Sequence, residues 1–144
     1  MANIDYSFEN SIPIGPLKIA ALDSCKDFAK KVDDYIVSFR QHDAEALAQR
    51  QSMLDFRGYD SKSYLLDFSC PRFGSGEAKC VLKEPVRGSD IFAMVDVTNY
   101  SLTYQLCGEV NHMSPDNHYQ DLKRLIGSCR GARRVNVVMP FLYE

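Results

Sequence analysis

The chain lacks the features that would place it in a membrane or outside the cell. Its 144 residues contain no apolar run close to the roughly 18 residues that a membrane-spanning helix needs. Residues 1–10 contain neither the basic segment nor the apolar segment of an export signal. We therefore expect neither export nor membrane insertion, and we expect a cytoplasmic location.

The chain also lacks a large excess of one charge. Its 17 basic and 19 acidic residues leave a formal net charge of −2, which does not favour general binding to nucleic acids or to anionic membranes. Hydrophobic residues make up 45% and charged residues 25% of the sequence, as in ordinary globular domains. We therefore expect one folded domain with no nucleic-acid or membrane partner.

Closely spaced cysteine pairs are missing as well. The five cysteines are an odd number and include no Cys-x-x-Cys pair, whereas disulfide frameworks favour an even count and structural zinc sites favour close pairs. A catalytic cysteine would need a histidine that the fold brings close to it. We expect reduced thiols, several of them packed in the core. The cysteines are Cys25, Cys70, Cys80, Cys107 and Cys129.

What the sequence does contain begins with a strand-like run followed by a helical pattern. Residues 17–22 are apolar and of strand length, and Asp23 and Ser24 after them are candidates for a helix N-cap. A helix is expected next, with Asp33 and Asp34 on its solvated side. The apolar residues predicted to form its buried face are Phe28, Val32, Tyr35 and Ile36.

The rest of the chain continues the alternation of patterns. Residues 42–53 are strong helix formers with few large apolar side chains, which predicts an exposed helix. Residues 64–68 and 77–82 have the character of two strands around a glycine-rich turn. The apolar runs 90–97 and 135–139 predict strands that are covered on both faces.

A second helix is expected between the last two strands. Ser114, Pro115 and Asp116 have the character of an N-cap, a first helical residue and a first-turn acid. The whole order predicts an α/β fold with a mostly parallel central sheet, flanking helices and one β-hairpin excursion. Residues 1–16 are expected to form an N-terminal arm, and residues 17–144 a single α/β domain.

Residues 72–77 (RFGSGE) are the first candidate for a ligand site. Two glycines in this segment allow a ligand to approach the backbone closely. Phe73 offers a face on which a base could stack, and Glu77 could accept a hydrogen bond from an exocyclic amine. The alternative is a plain turn between two strands, since no third glycine opens a helix and no Gly-x4-Gly-Lys phosphate loop occurs.

Other polar clusters leave two interpretations open. Roles in a loop and in a first helical turn explain His112 and His118 more simply than a metal site does. The basic residues within 123–134 are expected to complement a helix dipole, with an anion site or a subunit contact as the alternative. Arg87 is expected in an exposed turn, with phosphate binding as the alternative. No nucleophile with its base is recognisable, so we assign no catalytic residue.

The order of these segments resembles the N-terminal half of ribose-phosphate pyrophosphokinases, the phosphoribosyl-pyrophosphate synthetases. Residues 72–77 are similar to the family pattern R-F-S-D-G-E, and residues 84–90 (EPVRGSD) are similar to E-S-[VI]-R-G-x-D. The resemblance covers residues 17–37 and 69–144. Residues 38–66 have no counterpart and are expected to be an insertion.

The resemblance implies a phosphoribosyltransferase-like half of an α/β enzyme and a specific reaction. The complete enzyme would transfer the β,γ-diphosphate of ATP to the 1-hydroxyl of ribose 5-phosphate, with Mg²⁺, and would release AMP. ATP and ribose 5-phosphate are therefore the implied partners. A homo-oligomer with N-terminal domains at the subunit contacts is implied as well.

The resemblance also implies roles for individual residues. Phe73 and Glu77 match residues that contact the adenine of ATP bound largely by a neighbouring subunit. Ser75 stands where the family has aspartate, so this adenine contact is expected to be weaker or different. Arg87 matches an arginine of a regulatory phosphate site, in which Pro85 replaces a serine hydroxyl.

Two functional hypotheses follow. In the first, the chain is an N-terminal domain that supplies adenine contacts and subunit assembly. It is expected to be inactive alone, because the family's Arg-Gln pair, metal-binding histidine and ribose-phosphate loop would follow residue 144. In the second, it is a non-catalytic regulatory or interaction module that associates with a synthetase. Neither hypothesis assigns a metal ligand.

Overall fold

The computed structural model describes residues 13–47 and 61–143. Neither helix in these ranges has the length and apolar character that a bilayer-spanning segment needs. The elements, in chain order, are β1 (Leu17–Ala21), a short 3-10 turn (Asp23–Cys25), α1 (Lys26–Leu47), β2 (Phe68–Ser69), β3 (Val81–Leu82), β4 (Asp90–Met94), β5 (Thr103–Leu106), β6 (Glu109–His112), α2 (Pro115–Ser128) and β7 (Arg134–Val138).

A parallel three-stranded sheet in the order β1-β4-β7 forms the centre of the molecule. Its register aligns Ile19 with Phe92, and Phe92 with Asn136. Beyond β1, Leu65 forms a further parallel bridge to Ile19, and the Ile19 backbone N–H donates to the Tyr64 carbonyl at 2.7 Å. The predicted α/β fold with a mostly parallel sheet is confirmed.

Two apolar clusters cover the two faces of this sheet, because successive side chains of a strand point to opposite faces. Ala20 and Leu22 pack with Leu122 and Leu125 of α2, whereas Ile19 and Ala21 pack in a separate cluster toward α1. β4 divides in the same way: Ile91 and Ala93 join the α2 cluster, as does Val95 directly after the strand, and Met94 joins the α1 cluster. The helices therefore flank the sheet on both sides.

The buried face of α1 differs from the prediction. Phe28 and Tyr35 are 50% and 72% exposed, whereas Ala29 is fully buried. Val32 and Ile36, which were also predicted on that face, do pack against the α1 cluster. Relative to the prediction, the helix is therefore rotated about its axis. The small residue Ala29 packs against the sheet, and the large side chains of Phe28 and Tyr35 remain exposed.

Asp33 lies in the interior and not on the predicted solvated face. The residue is 2% exposed, and its carboxylate accepts hydrogen bonds from Ser63 Oγ and from the Tyr64 backbone N–H, both at 2.7 Å. A buried carboxylate is tolerated where it satisfies donors that would otherwise be unpaired. Its neighbour Asp34 is exposed and pairs with Lys30 one helical turn away.

The separate exposed helix predicted over 42–53 is not seen as such, because α1 runs without interruption to Leu47. The remainder of that prediction, and residues 48–60 of the expected insertion, lie outside the described residues. So do residues 1–12 of the expected arm. The second helix is confirmed: the Ser114 hydroxyl accepts from the Asn117 backbone N–H at 3.2 Å, and Pro115 is its first residue.

Within the part of the chain that the structure describes, two antiparallel strand pairs lie beside the central sheet, and the sequence predicted one of them. β2 pairs with β3 as expected, and Arg72 and Ala78 form a further bridge beyond them. The β5–β6 hairpin was missed. Its two-residue turn is formed by Cys107 at φ 52° and Gly108 at φ 87°, and a Cys-Gly turn lacks the Asn-Gly or Asp-Gly signal that marks such hairpins in a sequence.

The prediction of five reduced cysteines is wrong for one pair. Cys70 and Cys80 form a disulfide, with their Cα atoms 4.2 Å apart. They face each other directly beyond the β2–β3 ladder, so pairing of the strands brings the thiols together without any Cys-x-x-Cys spacing. Cys25 and Cys129 are free and buried, as expected, and Cys107 is free and exposed. Burial raises the pKa of the Cys129 thiol, and burial together with nearby Asp96 raises the pKa of the Cys25 thiol.

Candidate functional site

The glycine-containing segment after the disulfide forms a tight, exposed turn. The Phe73 backbone N–H donates to the Glu77 carbonyl at 2.7 Å, and the Gly76 N–H donates to the Phe73 carbonyl at 2.9 Å. Gly76 has φ 88°, a conformation that side chains on L-residues disfavour. Ser75 and Glu77 are exposed, and the Phe73 ring is half exposed. We call residues 73–77 the RFGSGE turn, after the motif that contains them.

Arg72 attaches this turn to the body of the domain. Its guanidinium donates to the Gly76 carbonyl at 2.9 Å and to Asp121 Oδ2 on α2 at 2.7 Å. It also lies over the Tyr104 ring of β5, 4.7 Å from the centroid. Arg124 donates to the other oxygen of Asp121 at 2.6 Å. The turn is therefore exposed at its tip and held at its base by buried charges.

The β5–β6 hairpin packs against the same turn. The Cys107 backbone N–H donates to the Gly74 carbonyl at 3.4 Å. A Cβ added at Gly76 would meet the Leu106 side chain at 3.3 Å. Two segments far apart in the sequence thus meet at the turn, and no signal in the sequence indicated this contact.

A cavity of about 460 Å³ opens behind the turn, at the carboxyl end of β1. Ligands of open parallel sheets bind at such an edge. The charged groups around this cavity are paired: Lys26 with Asp23, and Arg72 with Asp121. Lining residues that bear on the site are Ser24, Phe68, Arg72, Tyr104, His118 and Asp121.

The turn has the chemistry of a binding surface. The half-exposed Phe73 ring can stack on the face of a base, and the Glu77 carboxylate can accept hydrogen bonds from an amine. Both residues lie on a backbone held by its own hydrogen bonds, so little backbone conformational freedom would be lost on binding. Across residues 13–47 and 61–143, no group of three or more histidine, cysteine, aspartate or glutamate side chains is placed to hold a metal ion.

Arg87 lies apart from the RFGSGE turn, in the exposed turn between β3 and β4. There the Ser89 N–H donates to the Val86 carbonyl at 3.1 Å, and the Gly88 N–H donates to the Gly131 carbonyl at 2.8 Å. The latter bond brings the turn next to the loop that follows α2, where Arg133 is exposed. With Arg130, which is exposed in the same loop, the structure places three exposed arginines on neighbouring loops.

The basic residues within 123–134 do not form one cluster at the helix end. Arg124 pairs with Asp121, and Lys123 lies over the Tyr119 ring. Arg134 donates two hydrogen bonds to the carboxylate of Asp90, at 2.8 and 2.6 Å. The last turn of α2 contains no basic residue. Arg130 and Arg133 follow the helix end and are exposed, so for these two the interpretation as a complement to the helix dipole stays a prediction.

The two histidines make separate backbone contacts. His112 Nδ1 is 3.0 Å from the Tyr100 carbonyl oxygen, and His118 Nε2 is 2.8 Å from that of Asn99. Each therefore ties the segment after β4 to a different element, β6 or α2. These contacts support the structural interpretation of both side chains.

A family model described as the N-terminal domain of ribose phosphate pyrophosphokinase matches residues 17–144. Comparison with curated proteins and comparison with solved structures each gave no match.

Proposed function

Because the chain belongs to the family of ribose phosphate pyrophosphokinase N-terminal domains, we propose that it supplies adenine contacts and subunit assembly to such an enzyme and is not active alone. The reaction would be the transfer of diphosphate from ATP to ribose 5-phosphate, with Mg²⁺. The observation that carries the proposal is the RFGSGE turn, which presents Phe73 and Glu77 to solvent on a backbone anchored by buried charges.

Within this proposal the turn binds and orients ATP. Phe73 stacks on the adenine, which contributes apolar contact without specifying its orientation. Glu77 accepts a hydrogen bond from the exocyclic amine, which distinguishes adenine from bases without one. Ser75, where the family has aspartate, offers a hydroxyl and no charge. Phosphoryl transfer depends on positioning and on neutralising charge, and this turn contributes to the positioning.

Assembly and regulation are the remaining parts of the proposal. We expect a homo-oligomer in which the turn of one subunit meets ATP held mainly by another. Arg87, with exposed Arg133 on the neighbouring loop, is proposed as a weak phosphate-binding position. Pro85 supplies no hydroxyl there.

The decisive test is Phe73→Ala in the complete synthetase that contains this domain. We expect the KM for ATP to rise about tenfold, because stacking of one base on an aromatic ring contributes about 1–3 kcal/mol. The kcat and the thermal stability should remain close to those of the parent enzyme. Phe28→Ala is the matched control, since Phe28 on α1 is also 50% exposed; it should leave the KM unchanged.

Two results would contradict the proposal. Equal KM values for the Phe73→Ala and Phe28→Ala enzymes would make the turn a structural feature only. Appreciable AMP release by the 144-residue chain with ATP, Mg²⁺ and ribose 5-phosphate would show an activity that needs no partner domain. Such release would also exclude the non-catalytic interaction module.

A further inference from the structure

We propose that Arg72 is a positioning residue, which holds the RFGSGE turn in its ATP-binding orientation by joining it to α2 and to the β5–β6 hairpin. The inference rests on the proposed function of that turn. Arg72 itself would not touch the adenine; it would act through the Gly76 carbonyl and through Tyr104.

The geometry around Arg72 is that of a three-way connection. One terminal nitrogen donates to the Gly76 carbonyl within the turn, and the other donates to Asp121 on α2. The guanidinium carbon Cζ lies over the Tyr104 ring, 4.7 Å from its centroid. The Arg72 side chain is 11% exposed and that of Asp121 is 10% exposed, so these contacts are little screened by solvent. A planar guanidinium makes all three contacts at once, which the single ammonium of lysine cannot.

Neutralising the charge of Asp121 is not by itself a sufficient role for Arg72. Arg124 already donates to Asp121 Oδ1 at 2.6 Å, so this buried carboxylate would keep a cationic partner if Arg72 were replaced. Among the described residues, only Arg72 bridges Asp121 of α2 and the backbone of residues 73–77, by donating to the Asp121 carboxylate and to the Gly76 carbonyl. Its specific contribution is therefore the orientation of the turn relative to the helix.

Apart from Arg72, the Cys107 backbone N–H also joins the turn to the β5–β6 hairpin, by a 3.4 Å bond to the Gly74 carbonyl, whereas the hydrogen-bonded connection to α2 is made by Arg72. The hydrogen bonds between Phe73, Gly76 and Glu77 close the turn on itself. The disulfide and the β2–β3 ladder hold its base together. These contacts fix the local shape, whereas the direction in which Phe73 and Glu77 project depends on how the turn is attached to α2 and β5.

Two substitutions test the connection at different points. Arg72→Met keeps the aliphatic stem and removes the hydrogen bonds to Gly76 and Asp121. Tyr104→Leu leaves those bonds in place and removes the aromatic face, with Tyr104→Phe as its control. In the complete synthetase we expect the KM for ATP to rise about tenfold for Arg72→Met and about threefold for Tyr104→Leu, with kcat nearly unchanged. Arg72→Lys should fall between Arg72→Met and the parent.

A second readout does not involve ATP. In the 144-residue chain, amide hydrogen exchange at Phe73 and Gly76 should become faster in Arg72→Met and Tyr104→Leu, while exchange in β4 remains that of the parent. A general loss of stability would accelerate β4 as well. If Arg72→Met proves too unstable to assay, Tyr104→Leu supplies the same test without altering a charge.

The outcomes separate the inference from the proposed function. If Phe73→Ala raises the KM for ATP but Arg72→Met and Tyr104→Leu do not, the adenine-binding turn stands and the positioning role is overturned. If both variants loosen the turn while Phe73→Ala leaves the KM unchanged, the proposed function fails, and with it the assignment of Arg72 to ATP positioning. Increases in KM for all three, with kcat retained and β4 exchange unaltered, support the inference.

Discussion

The central sheet and the layer formed by its two hairpins are held together in different ways. In the sheet, whose three strands are parallel, buried apolar side chains cover the middle strand β4 on both faces, with Ile91 on the α2 side and Met94 on the α1 side. The outer strand β7 is less covered than the sequence predicted, because Val137 is 45% exposed. We define the hairpin layer as β2–β3 with the RFGSGE turn together with β5–β6. Its first hairpin packs Phe68, Cys80 and Leu82 against the α2 cluster. Beyond that packing, the layer depends on one disulfide, a few hydrogen bonds and the contacts of Arg72. Many small contributions stabilise the first region, and a few specific ones stabilise the second.

This difference separates stability from function within one small domain. Substitutions in the sheet should affect folding as a whole, because a cavity in a well-packed core cannot be repaired locally. Substitutions in the hairpin layer should change the orientation of exposed side chains at a smaller cost in free energy. The two regions can therefore be distinguished by how much a substitution in each lowers the free energy of unfolding, and by which part of the chain it changes.

The largest effect is expected in the sheet, from Ile91→Ala. Ile91 is fully buried in the middle strand β4, so its truncation should lower the free energy of unfolding by about 3 kcal/mol. Chemical denaturation followed by circular dichroism measures this change. Val110→Ala in β6 is the control: Val110 is 62% exposed, and the change should be within about 0.5 kcal/mol. Similar losses for both variants would remove the proposed distinction.

The next effect concerns the base of the β2–β3 hairpin. Reduction of the Cys70–Cys80 disulfide, which joins residues separated by 10 positions, should lower the free energy of unfolding by about 2–3 kcal/mol. Denaturation with and without a dithiol reductant tests this, and the Cys70→Ala variant should not respond to the reductant. Equal stability of the oxidised and reduced chains would show that the ladder and Arg72 hold the hairpin without the disulfide.

The smallest effect depends on pH and concerns the ion pair between Lys18 of β1 and Glu84, which follows β3 and so joins the two regions. Burial by itself would raise the pKa of Glu84, but hydrogen bonds from Lys18 and from the Asp67 backbone N–H, together with the charge of Lys18, lower it below its ordinary value of 4.5. A carboxyl whose pKa is lowered on folding stabilises the fold above its unfolded pKa, and loses that contribution as the pH falls through the folded value.

Glu84→Gln should therefore reduce the stability difference between neutral pH and pH 3, by at most about 1 kcal/mol for a partly exposed pair. Glu77→Gln on the exposed turn is the matched control. The measurement is the free energy of unfolding as a function of pH between neutral pH and pH 3. Parallel curves for the Glu84→Gln and parent chains would contradict the proposed contribution of Glu84.

The sequence predicted those parts of the fold that depend on local pattern. The strands that became β1, β4 and β7 were recognisable as apolar runs, and α2 was recognisable from Ser114 and Pro115. The RFGSGE turn was also located correctly between two strands. The role of its residues in binding adenine remains a prediction, and so does the phosphate-binding role of Arg87.

Other features could not be predicted because they depend on which surfaces meet. Phe28 and Ala29 are adjacent on α1, and only packing against the sheet decides that Ala29 is buried. Asp33 is internal because the segment at Tyr64 presents a backbone N–H to it. The Cys70–Cys80 bond follows from strand register, which the spacing of the cysteines does not reveal.

By itself, then, the sequence determined the α/β class, the order of the central elements and the family to which the domain belongs, since hydrophobic periodicity and short motifs are local properties. The tertiary structure alone decided that Arg72, which precedes the turn, meets Asp121 of α2 and Tyr104 of β5. Arg72 is 49 positions from Asp121 and 32 positions from Tyr104 along the chain. A hydrogen bond or a cation–π contact forms only when the fold brings the groups within a few ångströms.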